Sequence, residues 1–222
     1  MKVGVVVASR KERKPFVEIF GAPHMYHVGL NAYEVSLWKM SSEKFVYLIL
    51  SGIGEIAAAS STQYLIDNFN VDKIINYGVA GGLTEEHPAL SIGIVDKVVH
   101  YGFDVSTGSP YRVGEYPKIG LFHTPISPAI PEEKTQNLPR FICASADIGV
   151  GGGEPKKKLH QEYGADICEM EAAGIVLTCN RNNIPCTLIK AVSDGVDEDI
   201  EALHQHVYDA SRDCVKLIAK LI

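Results

Sequence analysis

Short apolar runs alternate with amphipathic segments along the 222 residues of this chain. Segments with the spacing of an amphipathic helix cover residues 55–69, 171–182 and 199–222. Runs typical of buried strands cover residues 2–8, 45–52, 73–81, 92–102, 140–148, 165–168 and 185–194. This alternation predicts an α/β fold in one domain over residues 1–222, with three layers and a mixed, mainly parallel central sheet flanked by helices.

The stretch 103–138 interrupts this alternation. It is rich in glycine, proline and serine and contains no clear periodic pattern. Long irregular segments inside a compact domain are usually functional or contact a neighbouring molecule. We therefore expect this excursion to matter for function or assembly.

Composition and charge exclude several classes of protein. Apolar residues make up 46% of the chain and charged residues 22%, which is typical of a globular protein. The net charge of −6 argues against binding to nucleic acid or to acidic membranes. No apolar run reaches the roughly 20 residues of a membrane span, and the first residues do not form a signal peptide. We expect a cytoplasmic protein whose five cysteines are reduced core thiols, since their spacing fits no zinc site.

Polar residues and glycines follow four of the predicted strands, at the ends where α/β sheets bind ligands. These segments are "ASRKER" (8–13), "YGVAGGL" (77–83), "CEMEA" (168–172) and "VSDGVDED" (192–199). The glycines of the second segment allow backbone amides to approach a ligand, although their spacing fits neither a dinucleotide fingerprint nor a P-loop. The four strand ends together predict a binding site.

Two glutamates flank Met170 in the third of these segments. In an extended chain, Glu169 and Glu171 project to the same side, and a carboxylate can accept hydrogen bonds from both adjacent hydroxyls of a ribose. The alternative is a glutamate in the first turn of a helix, which the helix dipole favours. The spacing by itself favours this second interpretation.

Asp194 ends a strand and begins a run of acidic residues. One interpretation is that it caps the last helix, a position that Asp197 or Asp199 would fill equally well. His204 and His206 project from different faces of that helix, so they do not converge on a metal ion. The sequence therefore predicts no metal site.

Six segments, spread from the first strand to residue 198, carry a resemblance to a known family. They are "KVGVVVASRKE", "SGIGEIAAASSTQYLID", "INYGVAGGL", "HYGFDVS", "EMEAAGIVLTCNRNNIPC" and "KAVSDGVDE". Together they resemble the nucleoside phosphorylase superfamily, and within it the methylthioadenosine/S-adenosylhomocysteine nucleosidases. The Glu-Met-Glu and Ser-Asp segments, in this order and spacing, are specific for the superfamily.

The resemblance implies catalytic roles for two carboxylates. Glu12 corresponds to the glutamate that activates the attacking water, and Asp194, steadied by Ser193, to the acid that protonates the leaving purine at N7. Cleavage of a ribosyl C–N bond passes through an oxocarbenium-like state, which suits this pairing of base and acid. The reaction needs no metal and no organic cofactor. On this basis we expect Asp194→Asn to lose activity with folding intact.

The resemblance also implies how the nucleoside is held. Glu171 corresponds to the ligand of the ribose hydroxyls, Met170 packs under the sugar, and Glu169 is a supporting group. Backbone groups near Val150 hold the base. The expected reaction is hydrolysis of 5′-substituted adenine nucleosides, such as 5′-methylthioadenosine or S-adenosylhomocysteine.

Two positions bear on the choice of nucleophile. Phosphorylases of the superfamily carry arginine and serine where this chain has Asn76 and Val79. Asn76 agrees with the nucleosidases, whereas Val79 departs from both groups. In a phosphorylase, the basic residues between 10 and 14 would have to bind the phosphate in place of the missing arginine and serine. The alternative interpretation is that these basic residues form a solvent-exposed helix face. A phosphate-dependent purine nucleoside phosphorylase and a non-catalytic nucleoside-binding relative are the competing interpretations.

Other departures concern the substrate and the assembly. The family usually has an aromatic residue that stacks on adenine where this chain has Ile148, Gly149 and Val150. Segment 103–117 resembles the loop that reaches the 5′ pocket of a neighbouring subunit, although Tyr111 and Arg112 differ from the family pattern. The resemblance therefore implies a homodimer and leaves the 5′ substituent open.

Overall fold

The computed structural model describes residues 1–28, 33–198 and 200–222. The helices in these ranges are α1 (Arg10–Phe20), α2 (Glu55–Phe69), α3 (Glu154–Tyr163), α4 (Ala172–Asn182) and α5 (Ile200–Leu221). The strands are β1 (Lys2–Val7), β2 (Met25–Val28), β3 (Glu34–Lys39), β4 (Phe45–Leu50), β5 (Lys73–Gly82), β6 (Ile92–His100), β7 (Phe122–His123), β8 (Arg140–Ser145), β9 (Ile167–Glu169) and β10 (Cys186–Asp194). A short 3-10 helix covers Glu132–Lys134.

The strands and helices predicted from the hydrophobic pattern are confirmed, with small shifts at their ends. The pattern does not predict β2, β3, β7, α1 or α3. Strand β2 is exposed along its whole length, so no buried face marks it in the sequence. The hydrophobic pattern misses helix α3 because the buried face of this helix includes a lysine, Lys156. Asp199, one of the expected helix caps, lies outside the described residues.

The strands form a mixed sheet, as expected, but its centre closes on itself. Strands β10, β6, β8, β9 and β5 pair in that order, and β5 pairs again with β10, while β1, β4, β3 and β2 extend outward from β5. The described strands make five parallel and five antiparallel pairings, so parallel pairing does not predominate. One reason is that short connections such as residues 40–44 can join only antiparallel strands.

Helices cover both faces of the sheet around β1. Val5 packs with Phe16 of α1 and Ile218 of α5, whereas the next residue, Val6, packs with Leu65 of α2. Successive side chains of a strand point to opposite faces, so α1 and α5 lie on one side of the sheet and α2 on the other. The expected layers of helices around a sheet are therefore present in this part of the fold.

Two further expectations concern the setting of the protein. All five cysteines are buried and free, as the sequence predicted. Burial raises the pKa of the Cys214 thiol to about 12, which keeps it protonated and unreactive. Within the described part of the chain, no helix is both long enough and apolar enough to span a bilayer.

Candidate active site

The strand ends singled out in the sequence surround a cavity of about 300 Å³. Ser193 lies behind its wall and donates a hydrogen bond of 2.5 Å from Oγ to Oδ1 of Asp194. Seven of the eight predicted site residues line the cavity: Glu12, Val79, Val150, Glu169, Met170, Glu171 and Asp194. Further parts of the wall come from Ser9, Lys11, Ile53, Ile148, Gly149, Leu203, His204 and Val207.

Glu12 is fixed by the start of α1. Ser9 caps this helix, and its N–H and Oγ donate hydrogen bonds of 2.8 and 2.7 Å to Glu12 Oε2. The backbone N–H of Val79 donates to Glu12 Oε1 at 3.2 Å. A Cβ atom at Gly78 would lie 2.7 Å from the same oxygen, so a larger residue here would push the carboxylate out of this position. Val79 therefore contacts Glu12 through its amide, while its side chain packs against the apolar core.

Glu169 is held entirely by the protein. Its carboxylate accepts hydrogen bonds from the N–H groups of Glu171 and Ala172, each at 3.0 Å, and an ion pair of 2.8 Å from Lys190 Nζ. Burial favours a higher pKa for Glu169, but Lys190 and the backbone donors outweigh it and lower the pKa. Glu169 thus supports the start of α4 from the end of β9. The alternative interpretation, a glutamate in the first turn of the helix, is wrong, because neither glutamate lies in that turn.

Glu171 has a different environment two residues later. It is 8% exposed, and its described hydrogen bond is the one that Gly54 N–H donates to Oε1 at 3.0 Å. A carboxylate has about four acceptor sites, so most of those on Glu171 are free for a ligand. Burial, followed by the negative charge of Glu169, raises the pKa of Glu171 to about 8. The geometry therefore separates the two glutamates, which the sequence could not do.

Asp194 forms an ion pair that the sequence did not reveal. Its Oδ2 lies 2.5 Å from Nζ of Lys156, which is completely buried in the first turn of α3. Lys156 shares the buried face of this helix with Leu159 and Tyr163, three and seven residues further on. That spacing was the signal in the sequence, because such positions lie on one side of a helix. Asp194 is the last residue of β10, whereas α5 begins only at Ile200, so Asp194 does not cap that helix.

Lys190 was also missed. It is 1% exposed in the middle of β10, a strand with all nine residues buried. A lysine in such a strand needs a buried partner, and this requirement was a signal for the ion pair with Glu169. The raised pKa of Lys190 reflects the charges of Glu169 and Glu171, which outweigh the opposing effect of burial. Lys190 therefore balances the negative charge of the Glu-Met-Glu segment.

The rest of the cavity is aliphatic, with polar groups toward α1 and α5. The described lining residues include no phenylalanine, tyrosine or tryptophan. No residue of segment 103–117 lines the cavity, and Arg112 lies instead over the ring of Tyr163 at 5.8 Å. In the basic cluster, Lys11 lines the cavity, whereas Arg10 pairs with Glu34 and Arg13 bonds to Ser36.

The histidines of α5 serve separate purposes. His204 lines the cavity, and a ring nitrogen of His206 lies 2.8 Å from the carbonyl oxygen of Ser193. In the described parts of the chain, no three histidine, cysteine, aspartate or glutamate side chains are arranged to hold a metal ion. Glu12, Glu171 and Asp194 bring three carboxylates to the wall of this cavity. Carboxylates of this kind can accept hydrogen bonds or transfer protons.

The chain is similar to proteins of known name and structure. A model of the phosphorylase superfamily matches residues 2–222. A 5′-methylthioadenosine/S-adenosylhomocysteine nucleosidase of Buchnera aphidicola is 31% identical over 90% of this chain and 87% of its own length, and an aminodeoxyfutalosine nucleosidase of Helicobacter pylori is 26% identical over 89% and 87%. The structure of the Neisseria meningitidis methylthioadenosine/S-adenosylhomocysteine nucleosidase with methylthio-immucillin-A superposes with a TM-score of 0.86 at 26% identity, covering 99% of this chain and 97% of that one. The chain belongs to the phosphorylase superfamily.

Proposed function

We propose that this protein, acting as one domain over residues 1–222, hydrolyses the N-glycosidic bond of 5′-substituted adenine nucleosides. The substrates are 5′-methylthioadenosine, S-adenosylhomocysteine or a nucleoside like them. The observation that carries the proposal is the convergence of three buried carboxylates, Glu12, Glu171 and Asp194, on one cavity. Binding alone would not need all three. The names of the two curated relatives support the same reaction.

Each carboxylate has a place in this reaction. As the C1′–N9 bond breaks, positive charge develops on the ribose, and nearby carboxylates stabilise it. Glu12 takes a proton from the attacking water, for which its fixed orientation between Ser9 and Val79 is suited. Asp194 gives a proton to N7 of the purine. Each transfer contributes a roughly 10²–10⁴-fold acceleration when the group is well placed.

The remaining predicted residues hold the substrate. Glu171 accepts hydrogen bonds from the ribose hydroxyls through its free acceptor sites, and Met170 packs against the sugar. Backbone groups near Val150 hold the base. Glu169 fixes the backbone of Glu171 by accepting a hydrogen bond from its N–H, and Ser193 orients Asp194 by donating a hydrogen bond to its carboxylate. Because the described wall has no large aromatic residue, shape and backbone hydrogen bonds select the base in this chain.

Water rather than phosphate is the proposed nucleophile. Phosphate carries one to two negative charges at neutral pH, and its desolvation is costly without paired donors. Of the described residues that line the cavity, Lys11 alone is a lysine or arginine, whereas Glu12 and Glu171 would repel phosphate. Lys11 is the observation that keeps a phosphorylase as the second candidate.

We expect adenine release at a rate that does not depend on phosphate. The measurement is a panel of 5′-substituted adenosines incubated with and without phosphate, with both products identified. The expected sugar product is free ribose bearing the 5′ substituent. Base release that requires phosphate and yields a sugar 1-phosphate would assign the protein to the phosphorylases. Tight nucleoside binding without any base release would identify a non-catalytic relative.

We also propose that the protein acts as a homodimer in which segment 103–117 approaches the partner's cavity. The support is that this segment is ordered by internal contacts, including a Gly114 N–H bond of 2.7 Å to the carbonyl of Phe103, yet does not line its own cavity. We expect specific activity to fall on dilution in step with the dimer fraction measured by analytical ultracentrifugation. Full specific activity in a monomeric sample would contradict the proposal.

A further inference from the structure

Lys156 is a buried cation beside the candidate acid that the reaction described above does not use. Its Nζ lies 2.5 Å from Asp194 Oδ2, 2.6 Å from the carbonyl oxygen of Gly195 and 3.3 Å from that of Glu198. Asp194 lines the cavity, whereas Lys156 does not. Of the groups to which Lys156 donates hydrogen bonds, Asp194 is the one that lines the cavity, so the direct path from Lys156 to a substrate runs through Asp194.

The position of Lys156 is unfavourable for a lysine whose purpose is structural. It lies in the first turn of α3, where the positive end of the helix dipole does not stabilise a cation. Its side chain is fully removed from water, and burial of an ammonium group is costly even when it is paired. The next residue, Lys157, shows the ordinary arrangement, with an exposed ion pair of 2.7 Å to Asp197.

The described residues around the pair offer Asp194 few other proton donors. A Cβ atom at Gly81 would lie 3.2 Å from Lys156 Cε and 3.3 Å from Asp194 Oδ2, so the backbone closes over the contact. The other described donor to the carboxylate is the hydroxyl of Ser193, which is a far weaker acid than an ammonium group. A carboxylate in contact with an ammonium group is an ion pair, and it has no proton of its own to give.

We propose that Lys156 supplies, through Asp194, the proton that the leaving purine receives. This inference rests on the proposed nucleoside hydrolysis. Transfer of a proton from Lys156 to Asp194 turns the carboxylate into an acid that can protonate N7. Lys156 is thus a positioning residue that also serves as a proton reservoir, and Asp194 is the group that touches the base.

The protons balance over one turnover. The C1′–N9 bond breaks and its electron pair passes into the purine, whose N7 takes a proton from Asp194 as Lys156 gives one to Asp194. Water adds to C1′ and gives its own proton to Glu12. Glu12 then releases this proton to solvent. After the products leave, Asp194, which lines the cavity, takes a proton from solvent and passes it to the buried Lys156. The net reaction is the addition of one water molecule to the nucleoside.

Two substitutions distinguish proton supply from charge alone. Lys156→Met removes both the charge and the proton, whereas Lys156→Arg keeps the charge but does not release a proton at neutral pH. We expect both variants to lower kcat for adenine release by roughly 10²–10⁴-fold. The expected change in KM is less than about threefold, because Lys156 does not touch the substrate. Circular dichroism and thermal melting establish that each variant is folded at the assay temperature.

A second substrate sharpens the test. 4-Nitrophenyl β-ribofuranoside releases a stable anion that needs no proton, so both variants should retain a much larger fraction of wild-type activity on it than on the adenine nucleoside. Lys157→Met, in the exposed neighbour, should match wild type on both. The proposal is overturned if Lys156→Arg restores kcat on the adenine nucleoside, or if both substrates lose activity equally. If wild-type protein releases no adenine, the proposed function itself fails.

Discussion

Replacement of Asp194 by asparagine is expected to lower the rate of adenine release at least roughly 10²-fold. Asparagine has the same shape as aspartate but no acidic proton to give to N7. The measurement is kcat on 5′-methylthioadenosine or another adenine nucleoside that wild-type protein cleaves. Asp209→Asn is the matched control, since Asp209 is a partly exposed residue that pairs with Arg212 away from the cavity. Activity of Asp194→Asn near the wild-type level would show that Asp194 is not the acid.

The structure changes one part of this expectation. From the sequence alone we expected folding to remain intact, but Asp194→Asn leaves the fully buried Lys156 without its counter-charge. Removal of one member of a buried ion pair typically costs about 3–5 kcal/mol of stability. The double variant Asp194→Asn/Lys156→Met removes both charges, so its free energy of unfolding should recover while its activity should not. Equal stability of the single and double variants would contradict a buried ion pair.

Glu171→Gln is expected to make the protein less active and, at high pH, more stable. In the folded protein the pKa of Glu171 is raised to about 8 from an ordinary value of 4.5. Between these values the native state binds a proton that the unfolded state has lost, so this group's contribution to the free energy of unfolding falls as the pH rises through this window. Glutamine has no such proton and keeps the oxygen that accepts from Gly54 N–H. Above about pH 8 we expect the variant to gain roughly 3–5 kcal/mol over wild type.

Urea unfolding at about pH 6 and about pH 9 measures this difference. Glu18→Gln, in an exposed pair with Lys14 on α1, is the control and should follow wild type at both values. The activity of wild type should change in the opposite direction, because ionised Glu171 stabilises the charged ribose. We expect kcat/KM to rise as the pH approaches about 8 and Glu171→Gln to lose at least roughly 10²-fold in rate. A variant whose stability follows wild type across this range would contradict the raised pKa.

Comparison of Glu169 with Glu171 explains how far the sequence could predict the site. Both glutamates were identified as candidates, and both line the cavity. Their difference arises from Lys190, which is 21 residues away from Glu169 along the chain and pairs with it only after β10 joins β5. A local pattern contains no information about which carboxylate a distant lysine will neutralise. The sequence could predict that both glutamates belong to the site. It could not predict that Lys190 pairs with Glu169 and leaves Glu171 free for a ligand.

The hydrophobic pattern by itself determined most of the strands and helices and the placement of polar residues at strand ends, because burial of one face of each element depends on local periodicity. Only the tertiary structure decided that β5 returns to pair with β10 and closes the sheet. It also decided that Lys156, 38 residues from Asp194, lies against the candidate acid. These contacts join distant parts of the chain, and the free energy that selects them comes from burial and pairing of charges in the assembled core rather than from the preferences of any segment.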